Sequence, residues 1–204
     1  MNTRLVSLLL FVSGLCALVF QTAWLREFRL IFGASTPASA AVLAIFMGGM
    51  GLGNIVLGRR ADRATNPLRL YAMLELAVSI TSIASPLLVQ LVRAMYLALG
   101  GQETLGVTGA TIARLVLSAL VMGPPTFFMG GTLPAAARAV TVAEDEGRRN
   151  VGWLYGLNTL GAVAGAIVAT FVLLERLGTR ETLWLAGAMN LLNAAAAWCL
   201  SGAS

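Results

Sequence analysis

The sequence predicts an all-α integral membrane protein with six transmembrane helices. Hydrophobic residues make up 58% of the chain and charged residues only 11%, against roughly 25% charged residues in soluble domains. Apolar stretches of about 20 residues, the length that crosses the hydrocarbon layer, recur along the chain. The 204 residues leave room for six crossings joined by short loops. We therefore expect one membrane domain, residues 1–204, surrounded by the lipid bilayer.

The boundaries of the apolar stretches define the six predicted spans. They cover residues 5–25, 36–57, 68–92, 107–129, 151–174 and 183–200. Residues 26–33, between the first two spans, predict a short interfacial helix that ends at Gly33. Pro124-Pro125 predicts a kink in the fourth span, either as a hinge or as a bend that meets a loop at Gly130 and Gly131. Asn66-Pro67 marks the start of the third helix.

The positive charge of the chain comes from arginine alone, since the sequence has no lysine. These arginines are spread through the loops, where they orient a membrane protein, and we expect no nucleic-acid binding. With a cytoplasmic N-terminus, the cytoplasmic side holds Arg4, Arg59, Arg60, Arg63, Arg69, Arg138, Arg148 and Arg149, and the opposite side holds Arg26, Arg29, Arg93, Arg176 and Arg180. The bias predicts that both termini are cytoplasmic, in a bacterial inner membrane.

Several kinds of chemistry are not expected from this composition. The sequence contains no histidine, so it lacks the usual haem ligand, a common zinc ligand and a near-neutral general base. Its two cysteines, Cys16 and Cys199, lie far apart in apolar segments and predict neither a metal site nor a disulfide framework. We therefore predict no catalytic residues, no cofactor and no bound metal, and a protein that is not an enzyme.

Glycines at four-residue spacing recur in the second and fifth spans, as Gly49/Gly53, Gly152/Gly156 and Gly161/Gly165. Such pairs allow two helix backbones to approach closely. Their recurrence in the second member of two successive three-helix units indicates a 3+3 repeat, as in many transporters. One hypothesis is that Gly49, Gly53, Gly161 and Gly165 form an association face through which helices 2 and 5 bind another copy or another membrane protein. The alternative is ordinary close packing inside one bundle.

The loop after the second span resembles the G-x-L-A-D-R-x-G-R motif between helices 2 and 3 of the major facilitator superfamily. The matching residues are Gly58, Ala61, Asp62 and Arg63. Arg60 stands where leucine is usual, and Thr65 and Asn66 replace the later glycine and arginine. The resemblance is moderate, because arginine-rich cytoplasmic turns are common in membrane proteins.

A longer resemblance, in order along nearly the whole chain, is to the membrane domain of fused major-facilitator/spermidine-synthase-like proteins. It rests on Gly14, Gln21, Trp24-Leu25-Arg26, Phe32-Gly33-Ala34-Ser35-Thr36, Leu74-Glu75-Leu76, Pro124-Pro125-Thr126, Met129-Gly130-Gly131-Thr132-Leu133-Pro134, Val151-Gly152, Leu154-Tyr155, Asn158-Thr159-Leu160-Gly161-Ala162, Gly165 and Leu173-Leu174. The resemblance implies a six-helix half of a major-facilitator bundle. Since the sequence has no soluble nucleotide-binding segment, the family's catalytic residues have no counterparts here.

Four polar residues at membrane depth form the candidate intramembrane site: Gln21, Glu75, Arg114 and Asn158. A charge near the bilayer centre costs about 2.5–3.5 kcal/mol on insertion scales, so Glu75 and Arg114 require an explanation. Glu75 is a candidate proton-coupling or cation-binding carboxylate, and Arg114 a candidate substrate-facing cation. The alternatives are a structural pair or an arginine that snorkels to the interface.

These observations leave two classes of function and a weaker third. The first is a half-transporter, working as a homodimer on a small, cationic metabolite such as a polyamine, which the family resemblance alone suggests. The second is an accessory subunit that anchors or stabilises a larger membrane complex. The third is the membrane half of a split spermidine-synthase-like system. A polar cavity lined by Gln21, Glu75 and Arg114 favours the first class, and packing of these groups inside the bundle favours the second.

Overall fold

The computed structural model describes residues 3–32, 36–140 and 144–202, and these residues are almost entirely helical. Six helices in the described ranges are long and apolar enough to cross a membrane. The predicted all-helical class and the predicted number of helices that could span a membrane are therefore confirmed.

The helices are longer than the predicted spans at most of their ends. They are α1 (Thr3–Phe32), α2 (Thr36–Asp62), α3 (Pro67–Ala98), α4 (Gly101–Val140), α5 (Glu144–Val168) and α6 (Thr179–Gly202). α5 continues through a π-helical turn, Ala169–Leu173, and a last α-helical turn, Leu174–Arg176; we treat all three parts as α5.

Two local predictions were wrong. The expected interfacial helix at residues 26–33 is the end of α1, because residues 26–32 contain no proline or glycine to interrupt it; Gly33 lies outside the described residues. The expected loop at Gly130 and Gly131 is part of α4. The backbone break inside α4 lies at Gly106, whose φ of 65° and ψ of 179° are not helical, and not at Pro124-Pro125.

The start of α3 is as predicted from Asn66-Pro67. The Asn66 side chain accepts a hydrogen bond from the Arg69 backbone N–H at 3.0 Å, and Pro67 takes the first helical position. The Asn66 amide also donates to the Ser201 carbonyl at 3.1 Å, which ties the start of α3 to the end of α6. The cap therefore stabilises both a helix end and a contact between helices.

The helices pack as an arc in the order α2, α4, α3, α6, α1, α5, and its two ends, the α2/α4 pair and the α1/α5 pair, meet only weakly. α2 packs along α4, and α5 packs along α1. Gly161 lies against Phe11, and Gly165, one turn later, lies against Leu15. The contacts follow the same order along both helices, so α5 and α1 run parallel. α3 and α1 are the most enclosed helices. Half of the residues in their apolar 18-residue segments are buried, against 22% in the corresponding segments of α2 and α5.

The glycines proposed as an association face are occupied by packing inside the chain. A Cβ atom on Gly53 would collide with the Phe127 backbone of α4, and one on Gly49 with the Thr126 side chain. Gly161 and Gly165 meet the α1 backbone in the same way. These four glycines bring α2 against α4 and α5 against α1, as the close-packing alternative required, and they are not available to a partner.

Candidate functional site

The weak meeting of the two ends of the arc leaves a cleft of about 350 Å³ between the α1/α5 pair and the α2/α4 pair. Its lining is a mixture of apolar and polar groups. The polar side chains are Ser13, Asn54, Thr132, Tyr155, Asn158 and Thr159. Each of the four helices contributes at least one of them, so the cleft depends on the assembled bundle.

The polar groups of the cleft differ in whether they are hydrogen-bonded. The hydroxyls of Thr132 and Thr159 donate to carbonyls of their own helices at 2.8 Å. The amides of Asn54 and Asn158 make no hydrogen bond to any of the described residues, and Asn54 is exposed. Lipid chains cannot hydrogen-bond an amide, so this face suits water, a polar ligand or another protein better than lipid.

A second polar region lies on the other side of α1, where α1, α3 and α6 meet; we call it the buried seam. Tyr71, Glu75 and Ser79 follow one another at four-residue spacing on α3, which places them on one face of the helix. The Tyr71 hydroxyl donates to the Leu9 carbonyl of α1 at 3.1 Å and accepts from the Asn193 amide of α6 at 2.8 Å.

The seam continues along the antiparallel contact between α3 and α6. The Asn190 amide donates to the Glu75 backbone carbonyl at 2.9 Å, and the Ser79 hydroxyl donates to the Gly187 carbonyl at 2.8 Å. Nearer the other end, the buried Trp24 indole donates to the Ser85 hydroxyl at 2.9 Å. Hydrogen bonds thus join α3 to both of its neighbours in the seam.

The Glu75 side chain is the exception in this region. The residue is 1% exposed, and neither carboxyl oxygen has a hydrogen-bond partner among the described residues. Four groups that can donate nevertheless face it, the hydroxyls of Ser13 and Tyr71 and the amides of Asn190 and Asn193. Their distances or angles miss hydrogen-bonding geometry. Ser13 also lines the cleft, and it therefore lies between the two polar regions.

The four predicted site residues do not share one cavity. Asn158 lines the cleft, Glu75 lies in the buried seam, and Gln21 is half-buried on α1 outside the cleft lining. Arg114 donates to the Tyr96 hydroxyl at 2.9 and 3.1 Å, with its guanidinium 5.4 Å from the ring centre. The alternative of a Glu75–Arg114 pair is not formed, since the Glu75 oxygens have no partner among the described residues.

The loop motif lies at the end of α2. Gly58 packs near the Asn54 side chain and Pro134 of α4. Asp62 is the last residue of α2, Arg63 follows it, and both are exposed. A salt bridge joins Arg180 to Glu181 at 3.1 Å, but neither Asp62 nor Arg63 forms an ion pair within the described part.

Tyr71 and Ser13 were not among the predicted site residues. The signal for Tyr71 was present in the sequence as the four-residue spacing with Glu75 and Ser79, which predicts a polar face on α3. Ser13 gave no such signal, because its importance depends on α1 lying between the cleft and the seam.

Comparison of the chain with protein-family models, with curated proteins and with solved structures finds no match. The geometry of the cleft and of the buried seam is therefore the basis for the function proposed below.

Proposed function

We propose that the chain is one half of a transporter-like membrane protein, in which two copies face each other across the cleft and enclose a site for a small polar metabolite. The observation that carries this proposal is the open cleft with its unpaired amides, Asn54 and Asn158. A second copy placed over this face would shield the amides from lipid and close the cavity.

The pattern of helix contacts supports a 3+3 repeat and a major-facilitator-like half-bundle. In a 3+3 repeat, α1 corresponds to α4, α2 to α5 and α3 to α6. The α1/α5 pair then corresponds to the α4/α2 pair. Both pairs use glycine in a similar way. Gly14 of α1 lies against Asn158 of α5, and Gly130 of α4 lies against Met50 and Asn54 of α2. This internal likeness is expected when two three-helix units share one design.

A different set of glycines is available for association. A Cβ atom placed on Gly48 or Gly51 of α2, or on Gly152 or Gly156 of α5, would meet no atom within 4 Å. Gly51 lines the cleft, and each of the others lies within one helical turn of a cleft residue. Small residues favour helix association in lipid, so we propose that α2 and α5 meet the partner through these open glycines.

The symmetry of a dimer predicts which helices meet. When two identical faces are related by a two-fold axis along the membrane normal, each copy's left side opposes its partner's right side. α2 and α5 flank the cleft on opposite sides, so α2 of one copy meets α5 of the other. The contact to test is therefore Gly51 against Gly156, and not Gly51 against itself.

Cysteine cross-linking tests this contact. In a Cys199→Ser background, differently tagged Gly51→Cys and Gly156→Cys chains are co-expressed in membranes and oxidised. We expect a mixed disulfide dimer, with no dimer from Gly51→Cys alone. The matched control is Leu192→Cys on α6, which is 71% exposed and far along the arc from the cleft. Equal cross-linking of the control, or none at Gly51 and Gly156, would contradict the proposal.

The substrate class is tested by uptake into proteoliposomes. The residues that line the cleft carry amides, hydroxyls and the thioethers of Met50 and Met129, with no charged side chain. A polyamine is the first candidate because of the sequence resemblance, and an uncharged polar metabolite of similar size is the comparison. We expect Asn158→Leu to abolish uptake while the protein stays folded, because the amide faces the cleft and makes no hydrogen bond to any described residue.

An accessory subunit of a larger membrane complex is the second candidate. It is favoured by the packing of Glu75 inside the bundle and by the contact of Arg114 with Tyr96, since neither charge lines the cleft. In that case a different membrane protein covers the open face. Native mass spectrometry of the extracted protein separates a homodimer from a hetero-complex. The split synthase system rests on the resemblance alone.

A further inference from the structure

The surroundings of Glu75 make an ionised carboxylate costly. Its two oxygens are buried without a hydrogen-bond partner among the described residues. A buried charge is tolerated when it is paired, and otherwise the neutral form is favoured. No arginine of the described part pairs with Glu75, since neither of its carboxyl oxygens has a partner there.

The groups that face the carboxyl come from all three helices of the seam. α1 contributes the Ser13 hydroxyl, α3 the Tyr71 phenol, and α6 the amides of Asn190 and Asn193; the buried Cys16 thiol of α1 lies within electrostatic range of the carboxyl. Cys16 and Tyr71 are the titratable groups in this set, and neither brings a positive charge. These hydroxyl and amide groups can donate hydrogen bonds to a carboxyl group, and their oxygens can also ligate a cation, so the test below includes the removal of sodium.

Three of the four donors are engaged with other groups in this structure. Tyr71 donates to the Leu9 carbonyl, Asn193 to the Tyr71 hydroxyl, and Asn190 to the Glu75 backbone carbonyl. This arrangement suits a neutral carboxyl group. An ionised carboxylate attracts donors more strongly than a carbonyl does, so loss of the proton would draw Tyr71 and the amides toward Glu75. The hydrogen bonds that hold α3 against α1 and α6 would then change.

Ser13 provides the connection to the outside. It faces Glu75 on one side and lines the cleft on the other. In one exchange the Ser13 hydroxyl gives its proton to a Glu75 carboxylate oxygen and takes a proton from a hydronium ion in the cleft. The hydroxyl is restored, a neutral water remains in the cleft, and the carboxyl group gains the proton.

We propose that Glu75 is a proton-binding site inside the bundle, which exchanges its proton with the cleft through Ser13 and changes the hydrogen bonds of the buried seam when it does so. The biological role of this site rests on the proposed function, since proton binding at Glu75 would be coupled to the binding of a metabolite in the cleft. Its chemistry depends only on the buried seam and on Ser13.

Infrared difference spectroscopy of the full chain in liposomes tests the site directly. A protonated carboxyl group gives a C=O stretching band that disappears on ionisation. We expect a pH jump to change this band in the wild type and in Glu175→Gln, a matched change of an exposed glutamate, but not in Glu75→Gln. In Ser13→Ala the band remains, and its response to the pH jump slows at least about tenfold.

Labelling of glutamate with carbon-13 keeps the test independent of any variant that fails to fold, because the wild-type band must then shift. Absence of the band, its persistence in Glu75→Gln, or its appearance only after sodium is removed would overturn the proposal; the last result would indicate a cation site. The band requires neither dimer nor uptake. A pH-dependent Glu75 band without a Gly51–Gly156 cross-link would support the proton site and contradict the half-transporter. A Gly51–Gly156 cross-link without the Glu75 band would support the half-transporter and contradict the proton site.

Discussion

α1 has polar neighbours on two sides, and the two sides are built differently. In the buried seam, Tyr71 and Trp24 are fully enclosed and hydrogen-bonded to another helix. In the cleft, the Asn54 and Asn158 amides are unpaired within the described residues and accessible. Buried polar groups are normally hydrogen-bonded, so folding explains most of the seam and leaves the cleft unexplained. Polarity at membrane depth is therefore not by itself a sign of function; an accessible group without a partner is.

The glycines repeat the same contrast on α2 and α5. Gly53 and Gly161 are pressed against the backbone of a neighbouring helix, whereas Gly51 and Gly156 have free space around them. Each pair comes from the same helices and from similar sequence surroundings. Only the side of the helix on which a glycine lies decides whether it packs against a neighbouring helix or has free space beside it.

The largest expected effect comes from filling the packed glycines. A leucine at Gly53 or Gly161 must displace the backbone of α4 or α1, and overpacking of this kind costs about 3 kcal/mol or more when backbone is in the way. We expect both variants to lose the folded protein, measured as monodisperse yield after detergent extraction. Gly51→Leu and Gly156→Leu are the matched controls, and should fold normally while losing association. Folded Gly53→Leu protein that no longer dimerises would show that Gly53 takes part in association and is not needed for packing within the chain.

The next effect concerns a pair of tyrosines. Tyr71→Phe removes a hydroxyl that bonds both Leu9 and Asn193. The Leu9 carbonyl keeps its donor within α1, but the buried Asn193 amide loses its acceptor, at a cost of about 1–3 kcal/mol. Tyr155→Phe removes a hydroxyl from a residue that is 60% exposed and should change the free energy of unfolding by less than about 0.5 kcal/mol. Reversible unfolding in mixed micelles measures both. Equal losses would mean that the cleft is closed by contacts inside one chain.

Much of the fold was predictable, because membrane insertion depends on local composition. All six spans were located, and the start of α3 was identified from Asn66-Pro67. The errors lie where a local rule was overridden by packing. Gly130 was expected in a loop because glycine disfavours helices in water, but in α4 it allows contact with Met50 of α2. The helix gains more from that approach than glycine costs.

The candidate site was predicted less well. Glu75 and Asn158 were identified as polar residues at membrane depth, but their separation by α1 depends on the order of helices around the arc. Each helix is apolar around most of its circumference, so the sequence indicates poorly which side faces inward. Arg114 was expected to face a substrate, to pair with Glu75 or to snorkel to the interface; the pair with Glu75 is not formed, and the Arg114 guanidinium donates to the Tyr96 hydroxyl. The spacing of Tyr71, Glu75 and Ser79 was the one available clue to the seam.

The smallest effect tests the far part of the seam. Ser79→Ala removes the hydroxyl that donates to the Gly187 carbonyl of α6. That carbonyl lies within a helix and has a backbone donor available, so little is left unsatisfied, and interhelical bonds in membranes average about 0.6 kcal/mol. Thr159→Val is the control in the cleft. Its hydroxyl bonds only the carbonyl of Tyr155 in its own helix, so we expect no resolvable change in the free energy of unfolding.

A loss at Ser79 as large as that of Tyr71→Phe would mean that the seam acts as one cooperative network. Protonation of Glu75 would then affect the whole contact between α3 and α6. A loss confined to about 0.6 kcal/mol would restrict that influence to the part of the seam where Tyr71 of α3 meets Asn190 and Asn193 of α6.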